Sequence, residues 1–465
     1  MSASGTAATV DGAVSYWRDP LATRRRRLTT FFLLYLSEGI PLGFTAVLLA
    51  TQMRRHGLDP AAIGAFVGSL YLPWAFKWLF GPIVDTITST RFGRRRTWIV
   101  SAQLAMTLTL LAATPIDFAH SLGLFTAVIF VHNICAATQD VAIDALAVQV
   151  LQPDERGAAN GFMFAGQGVG QGIGGPVMLL MLSVVTLTGA FIVVSALIGL
   201  ILVFVSWRLR EPPDLQPPWR IQDGQTTALR RVRIEIADFV RAAARAFVGT
   251  RAALLGVFLA LLPLGAYAMS LSLGSNLAVE LGLTDDMIGT MGLGVGALNA
   301  FGCIVGGWVS DRYGRRATLA VFVGLTAIPT LILAWLMHSI GHVMPVPPGT
   351  AAPIATMLLI QYVSIAATYS FCQGLTYGGS TALYMDITTP AVAATQFTAY
   401  MALANLATTY TATWQGQSIE HFGYPTTLML DVVIGMLCIA LLPWMATARL
   451  RNDDAAPEDA ASLPR

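Results

Sequence analysis

The sequence predicts an all-α membrane protein whose twelve transmembrane helices form two six-helix bundles. Three observations carry this reading. Of the 465 residues, 55 % are hydrophobic and only 12 % are charged, about half the charge of an ordinary soluble domain, so lipid is the solvent for most of the chain. Twelve mostly apolar stretches are each long enough for a helical bilayer crossing of roughly 20 residues, and a helix satisfies its own backbone there. Positive charge is also one-sided. With the amino terminus inside, 25 of the 27 arginines fall in cytoplasmic segments, and only Arg54 and Arg55 face the other side.

In chain order the spans are 30–52, 61–84, 97–115, 122–146, 157–181 and 186–207, then 252–273, 286–310, 317–337, 352–378, 393–417 and 425–446. Residues 1–28 read as a cytoplasmic tail. Arg24 to Arg27 resemble the start of an export signal, but the apolar run behind them is too long and no small-residue cleavage site ends it. They therefore read as a positive anchor. The first bundle covers 29–207 and the second 252–446, with a second cytoplasmic tail at 447–465. The cytoplasmic loop 208–251 carries nine arginines, and Leu229, Val232, Ile236, Phe239, Ala243 and Phe247 recur at helical spacing. That pattern suits a helix lying on the inner membrane surface. The four cysteines lie in apolar stretches as buried small residues, and no metal-ligand spacing occurs, so no cofactor is expected. The expected partners are a small-molecule solute, protons and the lipid bilayer, with no nucleic acid, and the chain is expected to be a monomer.

The halves repeat. HGLDPAAIG at 56–64 matches LGLTDDMIG at 281–289. The second helix of each half ends in related motifs, GPIVD…GRRR (Gly81 to Arg96) and GWVSDRYGRR (Gly307 to Arg316). Parallel six-helix repeats are an arrangement of major facilitator transporters, and the second motif resembles the cytoplasmic loop motif of that superfamily. The motif suggests a latch that gates the inner face. Gly81 and Gly307 would allow close helix packing, while Asp85 and Asp311 would pair with arginines or face a helix amino terminus. Arg94, Arg95 and Arg315 belong to the same latch, unless they merely fix topology. Asp144, Glu155 and Arg156 are further gating candidates, with Asp144 a partner for the GRRR arginines. Asp386 reads as part of the structure at that end.

A narrower resemblance follows from YLSEGIPLG (35–43), FKWLFGPIVD (76–85), FGRRRTW (92–98), ATQDVAIDA (137–145) and AATQF (393–397). These resemble the peptide/acetyl-CoA transporter branch of the superfamily, which includes bacterial muropeptide permeases. The eukaryotic members typically carry glutamine where Glu38 stands.

Ionisable residues at membrane depth are functional candidates by default. Lys77 and Glu38 lie roughly 12 and 15 Å from the same membrane face, at 1.5 Å per helical residue, so the two are expected to form one ion pair. Protonation of Glu38 would then free Lys77, which makes this pair the candidate proton-coupling site, with Lys77 the counter-ion or the holder of the solute's anionic end, unless the pair is a static structural one. Asp140, Gln139, His132 and Asn133 on the fourth helix are candidate substrate ligands. In the fold that the resemblance implies, the first, fourth, seventh and tenth helices surround a cavity. Tyr267, Gln361, Tyr362, Tyr369 and Gln373 would line it and suit a sugar, a peptide or another polyfunctional solute. Asp431 has no evident role in the sequence. Gly170-Gln171-Gly172-Ile173-Gly174-Gly175 fits a dinucleotide fingerprint but lies inside an apolar span, where spaced glycines mean helix packing.

These features point to a secondary transporter of the bacterial inner membrane, with both termini cytoplasmic, that imports a muropeptide-like solute by proton symport. An acyl-CoA or siderophore substrate is the alternative within the branch. A membrane acyltransferase is the remote alternative, and the sequence offers no obvious nucleophile–base set for it.

Overall fold

The computed structural model describes residues 19–86, 92–152, 155–211, 251–347, 354–387 and 393–445, with scattered positions between 230 and 247. The amphipathic run expected at 229–247 falls largely outside these residues. Among them there is no β-strand, and they form twelve helical crossings. These are α1 (Arg24–Arg55), α2 (Pro60–Val84), α3 (Arg94–Ala113), α4 (Leu122–Val150), α5 (156–181) and α6 (Leu187–Phe204), then α7 (251–280), α8 (Asp285–Tyr313), α9 (Arg315–Ser339), α10 (Thr356–Asp386), α11 (393–422) and α12 (424–444). Seven helical stretches are long and apolar enough to span a membrane by themselves. The last of them holds both α11 and α12, which meet at Gly423 with φ 77°.

The repeat is visible in the backbone. Both α1 and the second part of α7 end on a glycine of positive φ, Gly57 at 94° and Gly282 at 83°. In each, the glycine N–H and the next residue's N–H return to the helix, Gly57 to Arg54 and Leu58 to Met53, Gly282 to Val279 and Leu283 to Ala278. This is a Schellman ending, which uses carbonyls that would otherwise be orphaned.

Helices approach most closely where glycine removes the side chain. Gly166, Gly170 and Gly174 of α5 lie on the α1 backbone at Phe32, Leu36 and Ile40. Gly302 and Gly306 of α8 meet Gly374 and Leu375 of α10, and Gly64 of α2 meets Gly416 of α11. The glycine run in α5 is therefore a packing surface. Gly81 and Gly307 depart from expectation, because a Cβ on either would meet nothing within 4 Å. Close packing near the second motif is made by Gly378, whose Cβ would come within 3.1 Å of the Gly307 nitrogen.

Two crossings break, and each break places functional groups. In α2 the regular helix stops at Ala75 and a 3-10 turn covers Lys77–Leu79. Pro73 and Pro82 flank it, and each removes a backbone donor. In α7 the helix Arg251–Leu261 is followed by Pro263 and by Gly265 at φ 87°, and regular helix resumes at Ser272–Glu280. Backbone freed inside a membrane must find protein partners. Ala266 N–H donates to Thr326 at 3.0 Å, Ala268 N–H to Asp431 at 2.9 Å and Gly265 N–H to the Gly435 carbonyl at 3.2 Å. The Tyr369 hydroxyl donates to the Ala266 carbonyl at 2.7 Å. Asp431, unassigned from sequence, thus braces the break in α7, with Gln415 donating to its other oxygen at 2.6 Å.

A Cβ on Gly170 would lie 2.6 Å from the Leu36 carbonyl oxygen, whereas one on Gly172 meets open space. Gly170→Val is expected to lower stability by about 1–3 kcal/mol, and Gly172→Ala to leave it unchanged or raise it by about 1 kcal/mol. Thermal unfolding of the two purified proteins in detergent checks the contrast.

Candidate functional site

The first bundle encloses a group of charged side chains. The 3-10 turn of α2 points Lys77 at α4, where its Nζ donates to Asp140 Oδ2 at 3.0 Å. Asp144, one turn on, accepts from the Tyr35 hydroxyl of α1 at 2.5 Å. Glu38 of α1 is 1 % exposed. Its Oε1 accepts from Gln167 of α5 at 2.9 Å, and its Oε2 is buried with no partner. Glu38, Lys77, Asp140 and Asp144 stand close enough to act on one another's charge. Three carboxylates therefore share one cation. A charge out of water is stable only when paired and hydrogen-bonded, and here the direct ion pair is Lys77–Asp140 rather than the expected Lys77–Glu38. The 3-10 turn at Lys77–Leu79 carries Lys77 toward α4 instead of toward Glu38.

The other residues expected to meet the solute have different surroundings. His132 is buried against α3, its Nδ1 within 3.1 Å of the Thr109 hydroxyl and of the Met106 carbonyl. Asn133 donates to its own helix at Ile129, and Gln139 to Ser37 of α1 at 3.1 Å. Tyr362 and Tyr369 are 1 % and 2 % exposed. Their hydroxyls are spent on the Gly274 and Ala266 carbonyls of α7, so both tyrosines brace the broken helix. Gln361 is exposed near the start of α10. Gln373 keeps a buried Oε1 without a partner.

Tyrosines from both halves gather around Tyr267 and Lys77. Tyr267 of α7 lies within electrostatic reach of Tyr71 of α2, Tyr377 of α10 and Tyr410 of α11, and Tyr377 also reaches Lys77. Tyr377 is deep within the protein yet 55 % exposed, and the Lys77 side chain is 18 % exposed. Neither side chain is sealed by packing. Gln373 lies four residues before Tyr377, on the same face of α10. Of these tyrosines only Tyr267 was expected from sequence.

The latch candidates sit at the arginine-rich face, each inside its own half. Arg27 holds Glu155 in a 2.6 Å ion pair, which keeps that carboxyl below the ordinary glutamate range. Arg315 joins Asp311 at 2.6 Å to Asp386 at 2.9 Å. Arg95 donates to the Val84 carbonyl at the end of α2. The backbone N–H groups of Arg94, Arg95 and Arg96 all donate to Glu211, which caps α3 with a negative charge. Asp144 bonds Tyr35 rather than the GRRR arginines, because it lies six residues before Val150, the last residue of α4, and so below their level. The side chains of Asp85 and Arg156 lie outside the described residues.

Sequence reasoning missed the opposite face. There Arg54 of α1 meets Glu280 of α7 at 2.5 Å, and Arg55 meets Asp285 of α8 at 2.6 Å. Ala61 N–H of α2 donates to Glu420 of α11 at 2.9 Å. Arg54 and Arg55 carried a signal, since two arginines isolated on the arginine-poor side need acidic partners nearby.

Removing Lys77 leaves Asp140 buried without its cation. Lys77→Met is expected to cost about 3–5 kcal/mol, and Lys77→Met/Asp140→Leu to regain most of that loss. Transport is expected to stay lost in both. Thermal unfolding together with solute uptake by reconstituted vesicles checks it.

The family model for the Major Facilitator Superfamily matches residues 28–412. The anhydromuropeptide permease of Escherichia coli (strain K12) is 26 % identical over 428 residues, covering 90 % of this chain and 79 % of that protein. The putative transporter AmpG 4 of Rickettsia conorii is 23 % identical over 437 residues, covering 90 % of this chain and 97 % of that one. Among solved structures, a D-xylose-proton symporter superposes with a TM-score of 0.64 at 14 % identity, covering 90 % of this chain and 95 % of that one. That is a likeness of fold alone. The chain belongs to the Major Facilitator Superfamily and is a membrane transporter of small molecules, not an enzyme.

Proposed function

We propose that the protein imports a muropeptide-like solute, bearing sugar and peptide groups, across a bacterial inner membrane in symport with protons, and that Glu38 carries the proton. The observation that carries this reading is the state of Glu38, which is buried beside the Lys77–Asp140 pair with one oxygen bonded by Gln167 and the other without a partner. An ionised carboxylate in that position costs more than a neutral one, so a protonated Glu38 fits the arrangement. Release of the proton adds a negative charge next to the single lysine and loosens its hold on Asp140. A proton on Glu38 is thereby linked to the position of Lys77.

The solute reading draws on the tyrosines around Tyr267. Rings of Tyr71, Tyr267 and Tyr377 beside one cation suit a solute with sugar faces, amides and a carboxylate. Coenzyme A, with several phosphates, would call for several cations. The similarity to an anhydromuropeptide permease leans the same way. The arginine-rich face is read as cytoplasmic from its charge, so the Arg54 face is the outer one. The ion pairs at that face hold the outer side shut in this state, and the region of Tyr377 and Lys77 opens inward.

Glu38→Gln is expected to keep solute exchange across vesicles at equal pH. Accumulation driven by a pH gradient is expected to fall at least about tenfold, a loss of 1.4 kcal/mol of coupling. Uptake of an anhydromuropeptide by vesicles in both regimes checks it, and a mutant that still accumulates fully removes Glu38 from the proton path.

A further inference from the structure

The second segment of α7, Ser272–Glu280, packs against the Ala50–Arg55 end of α1 and against α2 across the seam between the halves. Ser272, Asn276 and Glu280 recur every four residues and so share one face. Glu280 is fully used. Its oxygens accept from Arg54 at 2.8 Å, Tyr424 at 2.7 Å and the Val346 N–H at 3.0 Å, and they lie 3.1 Å from His342. Arg54 also donates to the Leu58 and Val346 carbonyls at 2.9 and 2.6 Å. The ion pair thus ties α1, α7, α12 and the turn after α9 into one knot.

The next two positions on that face are the opposite case. Ser272 and Asn276 are both 0 % exposed. The Ser272 hydroxyl and both polar atoms of the Asn276 amide have no partner. Their chain neighbours Leu271, Leu273 and Leu277 belong to one buried apolar cluster with Leu48 and Leu49. A buried amide with neither donor nor acceptor matched is unfavourable, and leucine of similar size would remove that cost. The residues are explained if the closed seam is only one of their states.

We infer that Ser272 and Asn276 form a solute-contact site of the outer gate, open only when Glu280 releases Arg54, and that they take a hydroxyl- or amide-bearing solute through its hydrogen-bonding groups. The inference rests on the orientation and the alternating opening proposed above. Closed, the knot at Glu280 holds the seam against the strain of the unpaired amide. Open, water and then solute satisfy Asn276 and Ser272, and the solute passes inward to the tyrosines around Tyr267. The gate is therefore poised between two states rather than sealed.

The test needs no solute. Asn276→Cys is placed in full-length protein whose four native cysteines are replaced by serine, with and without Glu280→Gln. It is then exposed to a membrane-impermeant maleimide in intact cells and in inverted vesicles. Glu280→Gln is expected to raise labelling in intact cells about tenfold, which corresponds to 1.4 kcal/mol removed from the closed state. Unchanged labelling overturns the gate, while labelling that rises only in inverted vesicles overturns the orientation on which it rests. Asn276→Leu supplies an independent reading should Glu280→Gln not fold. It is expected to raise the unfolding temperature and to lower the labelling rate of Ala278→Cys, and a fall in unfolding temperature with unchanged labelling contradicts the inference. Failure on both arms in a protein that still takes up an anhydromuropeptide sinks the gate site and leaves the transporter reading standing.

Discussion

A helix in lipid has no water to complete its hydrogen bonds, so every departure from regular helix and every charge must be answered by another part of the protein. This constraint accounts for most of the features described above. The break in α7 is answered by Asp431, Thr326, Tyr369 and Gly435, which come from three other helices. The 3-10 turn in α2 is answered by Asp140, which takes the lysine that the turn turns aside. Glycine contacts in α5, α8 and α10 bring backbones close enough for such answers to be short. Some buried polar groups among the described residues still lack a partner.

Two of those groups bear on transport. Near the arginine-rich half, Glu38 keeps one oxygen unpaired in a cluster where three acids share a lysine. Toward the Arg54 face, Ser272 and Asn276 are unpaired beside a saturated Glu280. Both are polar sites that a second conformation, a proton or a solute can complete. In the proposed symport the first senses the driving ion and the second is exposed only from the far side. In the proposed cycle the tyrosines around Tyr267 and Lys77 take the solute between these two places.

Much of the architecture was legible in the chain. Apolar runs fixed the crossings, and the paired motifs at 56–64 and 281–289 gave the repeat that reappears as twin glycine-ended helices. Asp144 was read as a partner for the GRRR arginines, but Glu38, Lys77 and Asp140 were each legible as candidates, because ionisable residues at that depth are rare. Their pairing was not. Depth along a helix follows from residue number, but the direction a side chain faces depends on local winding, and the turn between Pro73 and Pro82 rotates Lys77 toward α4. Tyr362 and Tyr369 illustrate the same limit. Their hydroxyls serve the α7 break, which their own spacing in α10 gave no reason to expect. Gly81 and Gly307 stood in the motif, while the close contact beside them belongs to Gly378. Arg54 and Arg55 gave the clearest missed hint, since their acidic partners lie more than two hundred residues away in the chain.

The central claim is that solute and proton move together through a site built on Glu38. Reconstituted vesicles carrying an internal pH indicator test it directly, with the same starting pH on both sides and an anhydromuropeptide added outside. The interior is expected to acidify in step with solute uptake, and collapse of the membrane potential to slow both. Uptake at full rate with no internal acidification contradicts it.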